Sequence, residues 1–182
     1  TKTLIHSTVN NAGTITWTGA GQLIAVVTGG GQSVLITNLA GGLFDLQSDS
    51  ALAYSDPVGF GGLAAYRFHN AGMLRKSAGT GTNSFPSQCS FINVGTIEMQ
   101  QGALQFPNGF TSSGSFDLAG NSVIHLDGGT FSFGAASLKT GTGQLLVDGG
   151  DVVLNGTGPG LSWTGGRLVA STFTVATNGL VS

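Results

Sequence analysis

Few side chains in this 182-residue sequence could do chemistry: eight carboxylates, six lysines and arginines, three histidines and one cysteine. Asp127 and Asp148 hold matching positions before Gly-Gly pairs, and Asp151 follows closely after the second. Gathered carboxylates of this kind serve as acid/base pairs in glycan cleavage or as ligands for a hard cation. Asp before Gly-Gly is also ordinary turn chemistry, because Asp bonds its own backbone and Gly accepts a left-handed conformation. The other carboxylates, Asp45, Asp49, Asp56, Glu98 and Asp117, are scattered. His6, His69 and His125 lack any metal-ligand spacing, and Gly79-Thr80-Gly81-Thr82 lacks the lysine that completes a phosphate loop. No Gly-x-Ser-x-Gly elbow is present. The reading therefore assigns no catalytic residue, no metal site and no cofactor.

Arg67, Arg75 and Lys76 form the one basic cluster, beside Tyr66 and Phe68. With Tyr66 they are candidates for contact with a surface glycan, and otherwise the solvated face of one structural unit. Trp17 and Trp163 offer sugar-stacking surfaces, or half-buried strand positions. A single cysteine, Cys89, excludes an intramolecular disulfide and reads as an inert thiol.

The elements that would position these groups are strands. Glycine supplies 32 residues, more than double the average usage of about 7%, and each interior glycine costs a helix about 1 kcal/mol relative to alanine. Short alternating runs recur instead: Thr14–Thr18, Leu43–Gln47, Thr96–Met99, Ala103–Phe106, Val123–Leu126, Thr130–Phe133 and Val152–Leu154. Each is bounded by Gly, Asn or Asp. Charged residues make up 8% and apolar residues 40%, with a net charge of −2. There is no basic surplus for nucleic acid. No apolar run approaches the roughly 20 residues of a membrane helix, so membrane insertion is not expected.

The strand boundaries repeat. Asn11-Ala12-Gly13-Thr14-Ile15, Asn70-Ala71-Gly72-Met73-Leu74 and Asn93-Val94-Gly95-Thr96-Ile97 share one pattern, and Asn38-Leu39-Ala40-Gly41-Gly42-Leu43 repeats it with an insertion. A Gly-Gly form follows, at Gly128-Gly129, Gly149-Gly150 and Gly165-Gly166. An irregular period of roughly 20–30 residues marks a solenoid, in which stacked turns bury a continuous core. The expectation is an all-β parallel β-helix, one domain over 1–182 of roughly eight turns, with an antiparallel β-sandwich as the alternative. Asn11, Asn38, Asn70 and Asn93 are then candidates for a stacked amide ladder, or for turn positions with positive φ. Gly13, Gly72, Gly95, Gly129, Gly150 and Gly166 mark the corners. The Tyr54–Phe60 stretch, with Asp56-Pro57, reads as a loop leaving the stack.

The strings Phe68–Thr82 and Phe91–Gln100, with Gly102-Ala103-Leu104 and Thr111–Phe116, resemble the repeat-rich stretches of large bacterial surface and secreted proteins, including autotransporter-like adhesins. That resemblance implies a right-handed β-helix, an extracellular or cell-surface location and a structural or adhesive role. It supplies fold motifs and no catalytic signature. The sequence opens at Thr1 without a basic, apolar leader, which reads as a processed protein or a segment of a longer repeat chain. Expected partners are further turns or copies, end to end, and surface glycans. A carbohydrate-binding or carbohydrate-degrading module on the same scaffold is the alternative.

Overall fold

The structure, a computed structural model, describes residues 1–59, 65–147 and 149–154, and the strand backbones at 162–163 and 172–175. Every regular element among them is a β-strand, and every strand pairing is parallel. The parallel pairing excludes the antiparallel sandwich and gives a β-solenoid with three strands per turn.

The second strand of each turn builds the longest sheet: β2 (Thr8–Asn11), β5 (Ser33–Asn38), β8 (Ala65–Asn70), β11 (Cys89–Asn93), β14 (Phe110–Ser112), β17 (Thr130–Phe133), β20 (Asp151–Leu154) and β22 (Thr172–Val175). Eight strands at about 4.8 Å spacing span about 34 Å. The third strands form a seven-stranded sheet: β3 (Thr14–Trp17), β6 (Leu43–Leu46), β9 (Met73–Lys76), β12 (Thr96–Met99), β15 (Ser115–Leu118), β18 (Leu138–Thr140) and β21 (Ser162–Trp163). The first strands divide into two sheets. One holds β1 (Lys2–Ile5), β4 (Leu23–Val26) and β7 (Leu52–Ser55), and the other β10 (Thr82–Ser84), β13 (Gly102–Phe106), β16 (Ser122–Leu126) and β19 (Gln144–Val147). The turns are uneven in length. Asn11, Asn38, Asn70, Asn93 and Ser112 stack in register although they lie 27, 32, 23 and 19 residues apart. The extra residues of the longest turn follow β7 in the sequence, and there Gly59 N–H bonds the Asp56 carbonyl and side chain.

Alternation along each strand decides what enters the core. In β8, Tyr66, Phe68 and Asn70 point in while Arg67 and His69 point out. Parallel register then places like on like. Val9, Ile36, Phe68, Phe91, Phe110, Phe131 and Val152 form one inward column. Neighbouring rings meet at 5.5 Å (Phe68–Phe91) and 5.1 Å (Phe110–Phe131), and Phe106 and Phe116 bridge to them from the other two faces. Each such side chain contributes about 1.5–3 kcal/mol through burial, and each edge-on pair about 0.5–1.5 kcal/mol more.

The two glycine motifs occupy different corners. Asn-x-Gly lies between the second and third strands, and Asp127-Gly128-Gly129 between the first and second. They are two series, and the Gly-Gly form does not replace the Asn form. Their physical reasons also differ. Gly129 has φ +72°, so a side chain there would strain the backbone. Gly13, Gly72 and Gly95 are not in the left-handed region; a Cβ at Gly72 or Gly95 would instead meet the carbonyl oxygen of the glycine one turn below. At Gly150 the obstacle is the Phe131 ring. Gly166 lies outside the described residues.

Phe110 touches rings from all three faces. Replacing it with alanine should cost about 3–5 kcal/mol, measurable as a lowered midpoint in urea unfolding with parallel circular dichroism.

Candidate functional site

The most ordered polar feature is the corner where the second strand meets the third. Asn11, Asn38, Asn70 and Asn93 end their strands facing inward, and the last three are wholly buried. The Asn11 amide donates to Asn38 Oδ1, Asn38 to Asn70 Oδ1 and Asn70 to Asn93 Oδ1, each at 2.8 Å. Asn93 donates to Ser112 Oγ at 3.1 Å, which closes the run. The second amide hydrogen goes to a backbone carbonyl of the following turn: Leu43 for Asn11, Met73 for Asn38 and Thr96 for Asn70. All the dipoles point the same way, so each bond polarises the next. None of the four has positive φ; among the described non-glycine residues only His6 does. The positive-φ reading of these asparagines is thereby corrected.

The basic cluster does not share a surface. Tyr66 and Lys76 fall on inward positions and are 2% and 0% exposed, so neither can touch a surface glycan. Arg67 stands exposed on the second face. Arg75, on the third, clamps Asp45 through Nε at 3.2 Å and Nη2 at 2.9 Å. Asp45 points outward yet is covered by Arg75 and by Gln47, which donates to it at 2.9 Å. Burial pushes the Asp45 carboxyl up, but hydrogen bonds from Arg75, Gln47 and Ser77 outweigh it and hold the group below the ordinary range.

Lys76 has the most unusual surroundings. Its column continues from Leu46 below to Met99 above, which are apolar. Its amine is satisfied by Asn83 Oδ1 at 2.7 Å, Asp49 Oδ1 at 2.8 Å and the Ala78 carbonyl at 3.3 Å. Asn83 is fully buried and donates to the Ser48 and Ser50 carbonyls at 2.9 and 2.7 Å. This cluster fills the place where the first-strand sheet is split between β7 and β10. The hydrogen bond from Lys76 holds the Asp49 carboxyl below its usual range. Asn83 and Asp49 carried no motif that would single them out in the sequence. The inward place of Lys76 follows from its spacing two residues after Leu74. Lys139, also fully buried, donates to the Gly141 carbonyl at 3.1 Å, and burial lowers its pKa.

The remaining candidates lie apart. Asp127 accepts a hydrogen bond from Gln105, and Asp151 begins β20 beside Thr130; Asp148 lies outside the described residues. Glu98 and Asp117 are register neighbours on the third face, bonded by Gln100 and Thr140 respectively. His6 accepts the Thr28 N–H at 3.0 Å, His69 faces out on the second sheet and His125 on the first. Among the described residues no three His, Cys, Asp or Glu converge to hold a metal. Trp17 is buried, with its indole N–H on the Gly21 carbonyl at 3.1 Å, so it is no sugar platform; the Trp163 side chain is outside the described set. Burial pushes the Cys89 thiol up to about 12, so it is not a nucleophile at neutral pH.

One end of the stack is open. Among the described residues β1, β2 and β3 are each the terminal strand of their sheet, so all three present an unpaired edge. Behind the edges lies a cavity of about 220 Å³ lined mainly by Leu4, Val9, Ile15, Trp17, Ile36 and Phe44, with the Lys2 amine over the Trp17 ring at its margin. Leu4, Val9 and Ile15 are only partly buried, whereas their register partners Ala25, Ile36 and Phe44 are at most 2% exposed. Comparison with family models, curated proteins and solved structures finds no match to this chain. The fold and its geometry therefore carry the functional reading.

Two outcomes follow from these contacts. Asn70→Ala removes two donors and an acceptor from a buried column, and should lower stability by about 2–4 kcal/mol in urea unfolding. Because the Asp45 carboxyl titrates lower folded than unfolded, its contribution is complete above the unfolded value of about 3.9 and vanishes as pH falls through the lower folded value. Unfolding titrations from pH 5 downward should show that loss in the parent chain and a shallower one in Asp45→Asn.

Proposed function

We propose that this chain is a structural β-solenoid segment, a spacer of an extracellular or bacterial surface protein, extended through its open end by further turns of the same kind. One observation carries the reading: three unpaired strand edges surround an apolar opening at the β1–β3 end. Unpaired edges template strand addition. A lone strand or helix would satisfy one edge and leave the others. Another three-sided turn satisfies all three at once and also fills the lumen. Two details at this corner agree. Among the described residues Asn11 Oδ1 bonds only the nearby Gly13 N–H, in the place where Asn38 Oδ1 accepts from the turn below. Gly13 likewise has open space where its counterparts meet a carbonyl. The likeness of the Asn-x-Gly-Thr units to those of surface adhesins supports the location. Exposed Arg67 remains available for an adhesive contact.

Sedimentation velocity over a range of concentrations tests the proposal on the chain as given. Association that grows with concentration is expected, and Val9→Lys with Ile15→Lys, which put two charges in the opening, should abolish it without changing the circular dichroism. A monomer that is independent of concentration overturns the reading.

A further inference from the structure

The amine of Lys76, the carboxamide of Asn83 and the carboxylate of Asp49 are the parts of an acyl transfer. The nucleophile lies 2.7 Å from the carbonyl oxygen of its target and 2.8 Å from a proton acceptor. Lys76 and Asn83 are both fully buried, so water does not compete for the acyl group. The Asn83 nitrogen is pinned by the Ser48 and Ser50 carbonyls, which fixes the carbonyl towards the amine. Nothing in the solenoid requires this arrangement. A leucine at position 76 would continue the column set by Leu46 and Met99, and a buried cation is costly unless fully compensated. We propose that Lys76 and Asn83 become joined by an isopeptide bond formed within the folded chain, with Asp49 as the proton carrier.

The atoms balance without an added reagent. The Lys76 ammonium gives one proton to Asp49, leaving a neutral amine and a neutral acid. The Nζ lone pair attacks Asn83 Cγ, and the carbonyl π pair moves onto Oδ1. Asp49 hands its proton to Nδ2 and takes one from Nζ. The oxyanion pair re-forms the carbonyl, the Cγ–Nδ2 bond breaks and ammonia leaves; the proton then on Asp49 passes to the ammonia, which departs as ammonium. The products are a secondary amide, an ionised Asp49 and one ammonium ion. The resting ion pair keeps Asp49 charged, so the reactive neutral pair is a minor state. A single turnover tolerates this, because the ammonium is lost to solvent and held reactants act at effective concentrations of about 10⁵ M or more. The Asp49 side chain, 43% exposed, gives that exit. The bond would tie β9 to β10 where the first-strand sheet is split.

Intact-mass spectrometry of the whole purified chain, followed until the mass is constant, gives the answer. The expected mass is short by one ammonia. Trypsin should fail to cut after Lys76, and the peptide carrying both residues should yield no backbone fragments between them. Asp49→Asn keeps the shape of the cluster but cannot carry the proton; it should show the full mass for its own sequence and normal cleavage after Lys76, as should Asn83→Ala. A full mass in the parent chain overturns the proposal. Ammonia loss with Lys76 still cleavable also overturns it, since that reports a succinimide at Asn83.

Discussion

Parallel, in-register stacking is the constraint from which the rest of this molecule follows. Each inward residue lies directly on the residue at the same position one turn away, at the spacing of about 4.8 Å set by the backbone bonds. A column must therefore agree with itself in size and polarity. Phenylalanines meet this by stacking or meeting edge-on. Asparagines meet it because the amide carries its acceptor and its donors at opposite ends, and so repeats along the axis without leaving a group unpaired. The corner glycines obey the same rule, since the carbonyl of one turn fills the space a Cβ of the next would need.

Where a column cannot agree, the backbone gives way. Lys76 interrupts an apolar column, and its charge is met by bringing Asp49 and Asn83 to it from the flanking loop and strand. That meeting occurs where the ladder of first strands is discontinuous. The break in the first-strand ladder and the Lys76–Asp49 ion pair are thus two signs of one local compromise.

The winding was legible because glycine density, short alternating runs and recurrent corners all pointed to it. The Asn column was legible too, because Asn recurs before the same corner. What was not legible depended on register. Polarity does not place Leu138 and Lys139: pairing with Phe116 sends Lys139 in and leaves Leu138 43% exposed. Arg75 and Lys76 are neighbours in sequence and read as one basic patch, but alternation puts one on the surface and the other in the core. Asn83 and Asp49 stand 34 positions apart and meet only because the intervening chain makes a full circuit. The two glycine series blurred into one because corner identity is a property of the closed turn.

The Asn column does not run the length of the stack. After Ser112 the same position is held by Phe133 and then Leu154. Turns on the two sides of that boundary are consequently not interchangeable parts. Duplicating or excising a turn among those that end in Asn would leave the amide chain continuous, whereas moving one past the boundary would set an amide against a ring. Gain or loss of whole turns therefore fits the columns within either stretch, but not across the boundary between them.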